Sequence, residues 1–258
     1  MNRQQAELYL ERIGLDKSLV DHAPDAQLLS TLQYAHVTTV PYENLDILNN
    51  LPLKLDEESL FEKIVLNRRG GYCFELNALY CRLLEALGYK TLSCFARYLR
   101  GETELPMRRH RIIIVESPDL DGRYFTDTGI GERAPRLALK LEEGFTQEQF
   151  GEIYRFEKDD FLGWVLCDHY KGEWGRFISF TEEPQLEADY IGTSFYCEKH
   201  PDSPFILGNM LSIKTQTGRK TVSNDEFRIF DGQNVTAITV TSDEEMKEIF
   251  STHFGIVL

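Results

Sequence analysis

Apolar positions in the first ninety residues recur at helical spacing. In "AELYLERIGL", Leu8, Leu10, Ile13 and Leu15 fall near one stripe, and "DAQLLSTLQYAHV" repeats the pattern with Leu28, Leu29 and Leu32. "SLFEKIVLNR" continues it after Ser59, read as an N-cap with Glu62 three residues on. Between these, "VPYENLDILNNLPLKLD" carries two prolines and a polar cluster, which predicts a long ordered connection. The most helical segment, "CFELNALYCRLLEALGY", places Leu76, Leu79, Leu83, Leu84 and Leu87 on one side, with Gly88 set to end it.

After Gly88 the period changes. "KTLSCFARYL", "HRIIIVE", "GRYFTDTG", "FGEIYRFEKDDFLGWVLCDHY" and "GEWGRFISF" are aromatic or β-branched and separated by turn residues, the pattern of an antiparallel sheet or barrel. From about residue 190 the expectation is more strands, "FILGNMLSIKT", "RKTVS", "EFRIF" and "VTAITV". A last helix then starts at Ser242 with Glu245 in capping-box spacing. The class is α+β, in three units: a helical bundle over 1–90, a β-barrel over 91–193 and a small α/β unit over 194–258.

Composition narrows the partners. Of 258 residues, 42% are hydrophobic and 12% aromatic, enough for sizeable cores. A net charge of −14, from 42 acidic against 28 basic residues, opposes nucleic-acid phosphates and anionic lipid heads. The N-terminus has no apolar stretch of signal-peptide type, and "IIIV" at 112–115 is among the longest apolar runs. Five cysteines (Cys73, Cys81, Cys94, Cys167, Cys197) without two-residue spacing give no redox or zinc motif. The expectation is a soluble cytoplasmic protein with reduced thiols and no metal.

Candidate chemistry centres on "RRGGYCFELN" at 68–77. A helix starting at Cys73 would aim free N–H groups and the positive dipole end at the sulfur, favouring thiolate. Gly70 and Gly71 would let the backbone turn and leave room for a substrate over the sulfur. Free cysteines are more often small core hydrophobes, and these features narrow that gap without closing it.

A nucleophilic thiol needs a base, and the base needs an orienter. Of six histidines, His110 opens the strand "HRIIIV", and "RYFTD" follows a turn-rich "ESPDLDG" to end at Asp127. A turn on Ser117–Pro118–Asp119–Leu120 puts His110 directly opposite Asp127, whereas a turn on Asp121–Gly122 breaks that pairing. The pair reads equally as a satisfied polar couple at a barrel rim. "GIGERA" fits the G-x-G-x-x-A spacing of dinucleotide sites, but Pro135 and the alternating "RLALKL" predict a strand and no βαβ unit surrounds it, which excludes nicotinamide binding.

"RRGGYCFELN", "VPYENLDIL", the histidine before an apolar strand and "FTDTGIGERAP" together resemble the arylamine N-acetyltransferase family. The resemblance implies a cysteine-protease-like Cys–His–Asp core made of Cys73, His110 and Asp127. It also implies a helical domain, a β-barrel and an α/β lid. Implied chemistry is ping-pong transfer of acetyl from acetyl-CoA to an arylamine or arylhydrazine through acetyl-cysteine. The family usually has a small hydroxyl residue where this chain has Arg109. It has valine and an aromatic where Thr126 and Ile130 stand, so acceptor preference is open. Coenzyme A contacts are expected from the Gly129–Gly131 loop, Arg109 and Arg133, within a basic supply that includes Arg108, Arg111, Arg136 and Lys140. Tyr72 and Phe125 either line an aromatic acceptor pocket or pack the barrel. The competing readings are a Cys–His–Asp amide synthase or thiol hydrolase with another acyl donor, and a binding module that has lost catalysis.

Overall fold

The structure is a computed structural model, and it describes residues 1–257. Helices α1 (Arg3–Arg12), α2 (Ala26–Thr39) and α5 (Cys73–Ala86) enclose the first core, with strand β1 (Tyr42–Glu43) and the short helices α3 (Leu45–Leu48) and α4 (Glu57–Phe61) between them. Helix α5 is buried on nearly every side, from Cys73 through Leu84. Its apolar surroundings explain why its sequence is hydrophobic all round. The N-cap expected at Ser59 lies three residues earlier: Asp56 accepts the Ser59 N–H at 2.9 Å. An ionised carboxylate is the better acceptor for a helix-start N–H, and the positive end of the helix dipole favours it.

Eight strands form the middle sheet: β2 (Lys90–Tyr98), β3 (His110–Glu116), β4 (Tyr124–Thr126), β5 (Leu139–Lys140), β6 (Gln147–Gln149), β7 (Glu152–Asp159), β8 (Gly163–Tyr170) and β9 (Glu173–Phe180). Their order, β5-β4-β3-β2-β9-β8-β7-β6, leaves β5 and β6 as edges. Side chains join those edges. The Gln147 amide accepts from Lys140 N (2.7 Å) and donates to Lys140 O (2.9 Å), and Gln149 does the same with Leu137 (2.6 and 3.2 Å). Two amides thus replace ladder bonds and nearly close the barrel around Phe125, Phe156, Phe177 and Phe180.

The stretch from 187 to 199 corrects the expectation of strands from about 190: it is helix α6 (Glu187–Lys199). Tyr190 and Cys197 face inward while Ile191 and Phe195 are exposed, so no clean apolar stripe marks it in the sequence. Strands β10 (Met210–Lys214), β11 (Gly218–Ser223), β12 (Glu226–Asp231) and β13 (Asn234–Thr239) follow, then helix α7 (Asp243–Phe254). Ser242 does cap α7, accepting from Glu245 N at 3.2 Å. The last sheet runs β1-β10-β11-β12-β13, so the N-terminal "PYENLD" segment supplies one of its edges.

Candidate active site

Cys73 is the first residue of α5 and Tyr72 its N-cap. The Tyr72 N–H donates to Glu75 Oε2 (3.1 Å), while Glu75 Oε1 accepts from Lys63 (2.7 Å). Lys63 and Arg69 also bind Asp46, and Arg69 binds Glu43, so a partly buried ionic chain clamps the loop before the cysteine. Asn44 ties the same segment to the last sheet, donating to Phe205 O and Gly208 O and accepting from Met210 N. "PYENLD" is therefore a brace.

The two glycines serve close packing against Pro41, Glu43 and Glu75, and neither opens space at the sulfur. A Cβ on Gly70 would stand 2.0 Å from Pro41 O, and one on Gly71 2.9 Å from Glu75 Oε2. The left-handed turn falls on Arg68 (φ 54) instead.

The strand pair carrying the other two residues differs from the expected register. A turn does form at Ser117, where Leu120 N donates to Ser117 O (3.1 Å), but residues 121–123 lengthen it. The ladder pairs Ile113 with Thr126 and Ile114 with Phe125. Asp127, one step past the ladder, comes level with Ile112, and His110 is its diagonal neighbour on the same face. Diagonal neighbours lie about 7–8 Å apart, within reach of two long polar side chains. His110 Nε2 and Asp127 Oδ2 meet at 2.5 Å, with Asp127 fully buried. That bond leaves Nδ1 as the free ring nitrogen.

Two residues overlooked in the sequence position Asp127, one at its carboxylate and one at its backbone. Asn77, one turn after Cys73, donates Nδ2 to Asp127 Oδ1 (2.8 Å) and Arg111 O (2.6 Å), and its Oδ1 accepts from Thr128 N (2.9 Å). Gln33 Oε1 accepts from Thr126 Oγ1 and from Asp127 N (3.3 Å). The available signal was a polar amide on a helix face that is otherwise apolar: fully buried amides must have partners.

Cys73, His110, Arg109, Gly129, Ile130 and Gly131 line one cleft of about 430 Å3, together with Tyr42, Tyr98, Phe205 and residues of β10–β12. Gly129 packs on the cysteine, where a Cβ would lie 2.7 Å from Cys73 Cα, and its N–H donates to Asp127 Oδ1 (2.8 Å). Gly131 takes φ +81 against Ser212 and Tyr42. A second hollow of about 520 Å3 lies behind α5, between Leu53, Leu79, Ile191 and Phe195, and contains none of these groups.

Several expected contacts lie elsewhere. Tyr72 is buried, with its hydroxyl 2.5 Å from Ser194 Oγ, and Phe125 stacks on Phe180 inside the barrel; both pack the core rather than the cleft. Arg133 stacks on Tyr170 (4.1 Å) and faces Asp168, away from the cleft. Arg111 is buried against Glu187, Arg136 against Glu152, and Arg108 and Lys140 pair with Glu183 and Asp121. Of the cations expected there, only Arg109 reaches the cleft, where the unforeseen Arg228 joins it.

The electrostatics of the thiol also differ from expectation. Burial pushes Cys73 well up, Cys197 and Asp127 add to the rise, and the backbone N–H groups of Arg111 and Phe74 oppose it. Desolvation outweighs the helix start, so a lone thiolate is disfavoured. Among the described residues, no group of three or more His, Cys, Asp or Glu could hold a metal ion, and no helix is long and apolar enough to cross a membrane.

The family model described as N-acetyltransferase matches residues 25–258. An arylamine N-acetyltransferase of Mycolicibacterium smegmatis is 34% identical over 256 residues, covering 97% of this chain and 91% of that protein. The solved arylamine N-acetyltransferase of Salmonella typhimurium superposes with a TM-score of 0.91 at 26% identity, over 99% of this chain and 92% of that one. The Mycobacterium marinum enzyme, solved in complex with CoA, gives 0.89 at 29% identity, over 96% and 91%. This chain belongs to the arylamine N-acetyltransferase family of acyltransferases.

Proposed function

We propose that the protein transfers acetyl from acetyl-CoA to aromatic amines or hydrazines in two half-reactions through an acetyl-cysteine at Cys73. The carrying observation is that Cys73 and His110 line one cleft while Asp127 holds His110 Nε2 at 2.5 Å, leaving Nδ1 to serve the thiol. His110 takes the thiol proton, and buried Asp127 balances the imidazolium. The thiolate attacks the thioester carbonyl, the C–S bond to coenzyme A breaks, and His110 returns the proton to the leaving sulfur. An amine then attacks the acetyl-cysteine and gives its proton to His110, and Cys73 leaves as thiolate.

The donor's path follows the last sheet. Tyr42, Ser212, Thr221 and Arg228 are successive cross-strand partners on β1, β10, β11 and β12. Strand spacing of about 4.8 Å puts roughly 14 Å between the first and the last. This row offers hydroxyls to an amide-rich arm and a cation to a phosphate, with the Gly129–Gly131 loop at its inner end. The CoA complex of the M. marinum relative supports such a donor. In this reading residues 1–90 supply the nucleophile, 91–193 its base and orienter, and 194–258 the lid over the donor. The five free cysteines suit a reducing compartment, the cytoplasm.

Intact-protein mass spectrometry after brief mixing with acetyl-CoA tests this. The expected result is one acetyl adduct, absent in Cys73→Ala and discharged by an aromatic amine. Full transfer by Cys73→Ala would sink the mechanism.

A further inference from the structure

We infer that Arg109 and Glu102 make the acceptor end of the cleft selective for aromatic amines bearing a carboxylate, the acceptor's own carboxylate taking the place of Glu102 on the guanidinium. The inference rests on the acetyl-transfer reading above and concerns its second half-reaction.

The Arg109 backbone stands next to the nucleophile. Its carbonyl oxygen lies 3.7 Å from Cys73 Sγ, the residue directly precedes His110, and its side chain lines the cleft. Arg111 and Arg136 are anchored more than once, Arg111 by two bonds to Glu187 and Arg136 by Thr215 O, Gly218 O and Glu152, while Arg108, held by Glu183, does not line the cleft. Arg109 has one protein partner among the described residues, Glu102 Oε1, reached through Nη2 at 2.8 Å. A guanidinium has five N–H donors in a planar fork that matches a carboxylate in bidentate geometry. Most of that fork is unspent.

The partner is replaceable. Glu102 lies on the exposed connection between β2 and β3, with its side chain 35% exposed. Ion pairs of this kind contribute little, because water competes for both members. A ligand carboxylate placed bidentately on the fork is the stronger partner. Tyr42, Tyr98, Ile130 and Phe205 give the same cleft surfaces suited to a flat ring. Of the other charges lining the cleft, Glu132 pairs with Arg219, and Arg228 stands three strands out from Tyr42, at the donor end of the row. In a protein of net charge −14, the guanidinium lining this cleft is therefore a locally available cation.

The test compares 4-aminobenzoate with 4-methylaniline, acceptors of like size that differ in one charge, as the ratio of their kcat/KM values. Changes in that ratio between variants cancel the intrinsic difference in amine reactivity. Arg109→Gln is expected to lower the ratio at least tenfold, and Glu102→Gln, which frees the fork, to raise it several-fold. Ligand-observed NMR of 4-aminobenzoate without acetyl-CoA gives an independent reading, with binding expected to weaken at least tenfold in Arg109→Gln. A ratio unchanged in both variants overturns the inference. So does an Arg109→Gln effect confined to the rate of coenzyme A release, which would assign Arg109 to the donor. Absence of any acetyl adduct in the wild type would instead defeat the underlying reaction, leaving the binding measurement to decide the inference alone.

Discussion

At the scale of single residues, the proposed mechanism turns on the orientation of one carboxylate, which decides whether the histidine can act. Asp127 Oδ1 receives two donors, Asn77 Nδ2 and Gly129 N, each at 2.8 Å, which leaves only Oδ2 for His110. In Asp127→Asn those donors hold the amide oxygen at the Oδ1 position, and the NH2 group turns to His110 Nε2. The ring then accepts at Nε2 and carries its proton on Nδ1, where it cannot take the thiol proton. The expected loss in kcat is about 10^4-fold, the size seen when a triad histidine is locked in the wrong tautomer. Single-turnover kinetics with acetyl-CoA measure it. An unchanged acetylation rate would remove Asp127 from the proposed triad.

At the scale of elements, glycines separate close packing from chance. Gly70 joins β1 to the loop before α5, and its missing side chain lets Pro41 O approach to where a Cβ would be 2.0 Å away. Gly192 is inside α6, exposed, with open space around it. Gly192→Ala is expected to stabilise by about 0.5–1 kcal/mol through the unfolded chain, while Gly70→Ala destabilises by about 3 kcal/mol or more, because backbone must move. Urea denaturation compares them, and equal shifts would refute the packing argument. These elements also show what the sequence carries and what it does not. Cys73 at a helix start and His110 at a strand start were legible because caps and periodicity are local. The His110–Asp127 register was not, since the longer loop after the Ser117 turn displaces the ladder by two positions and no local pattern counts them. Nor was α6, whose exposed Ile191 and Phe195 mask its period. Asn77 and Gln33 were invisible as partners because their hydrogen bonds span 50 and 93 residues. Burial of Cys73, which reverses the expected direction of its titration, is likewise set by distant packing.

At the scale of the whole molecule, acid sensitivity follows from one histidine that does not line the cleft. His36 is fully buried between the rings of Tyr9 and Tyr80 (5.9 and 5.5 Å), and neither ring nitrogen has a partner among the described residues. Burial, helped by nearby Arg12, holds its pKa down to about 3 from the ordinary 6.5. The unfolded chain takes up a proton there below about pH 6.5 that the folded chain refuses, so stability falls as pH drops through that value and continues to fall toward 3. Between pH 7 and pH 5 the loss is on the order of 2 kcal/mol. His253, shifted down by partial burial and by Lys220, adds to the loss in the same direction. Relief of the net −14 charge on acidification acts oppositely, as carboxylates begin to protonate. His36→Phe keeps a ring between the two tyrosines and removes the titration. Its absolute stability is not the readout; its pH slope is. Urea unfolding at pH 7, 6 and 5 should show the wild type losing about 2 kcal/mol more than the variant over that interval. Parallel slopes would mean that His36 is protonated in the folded state, and that a polar partner or water reaches it inside the helical core.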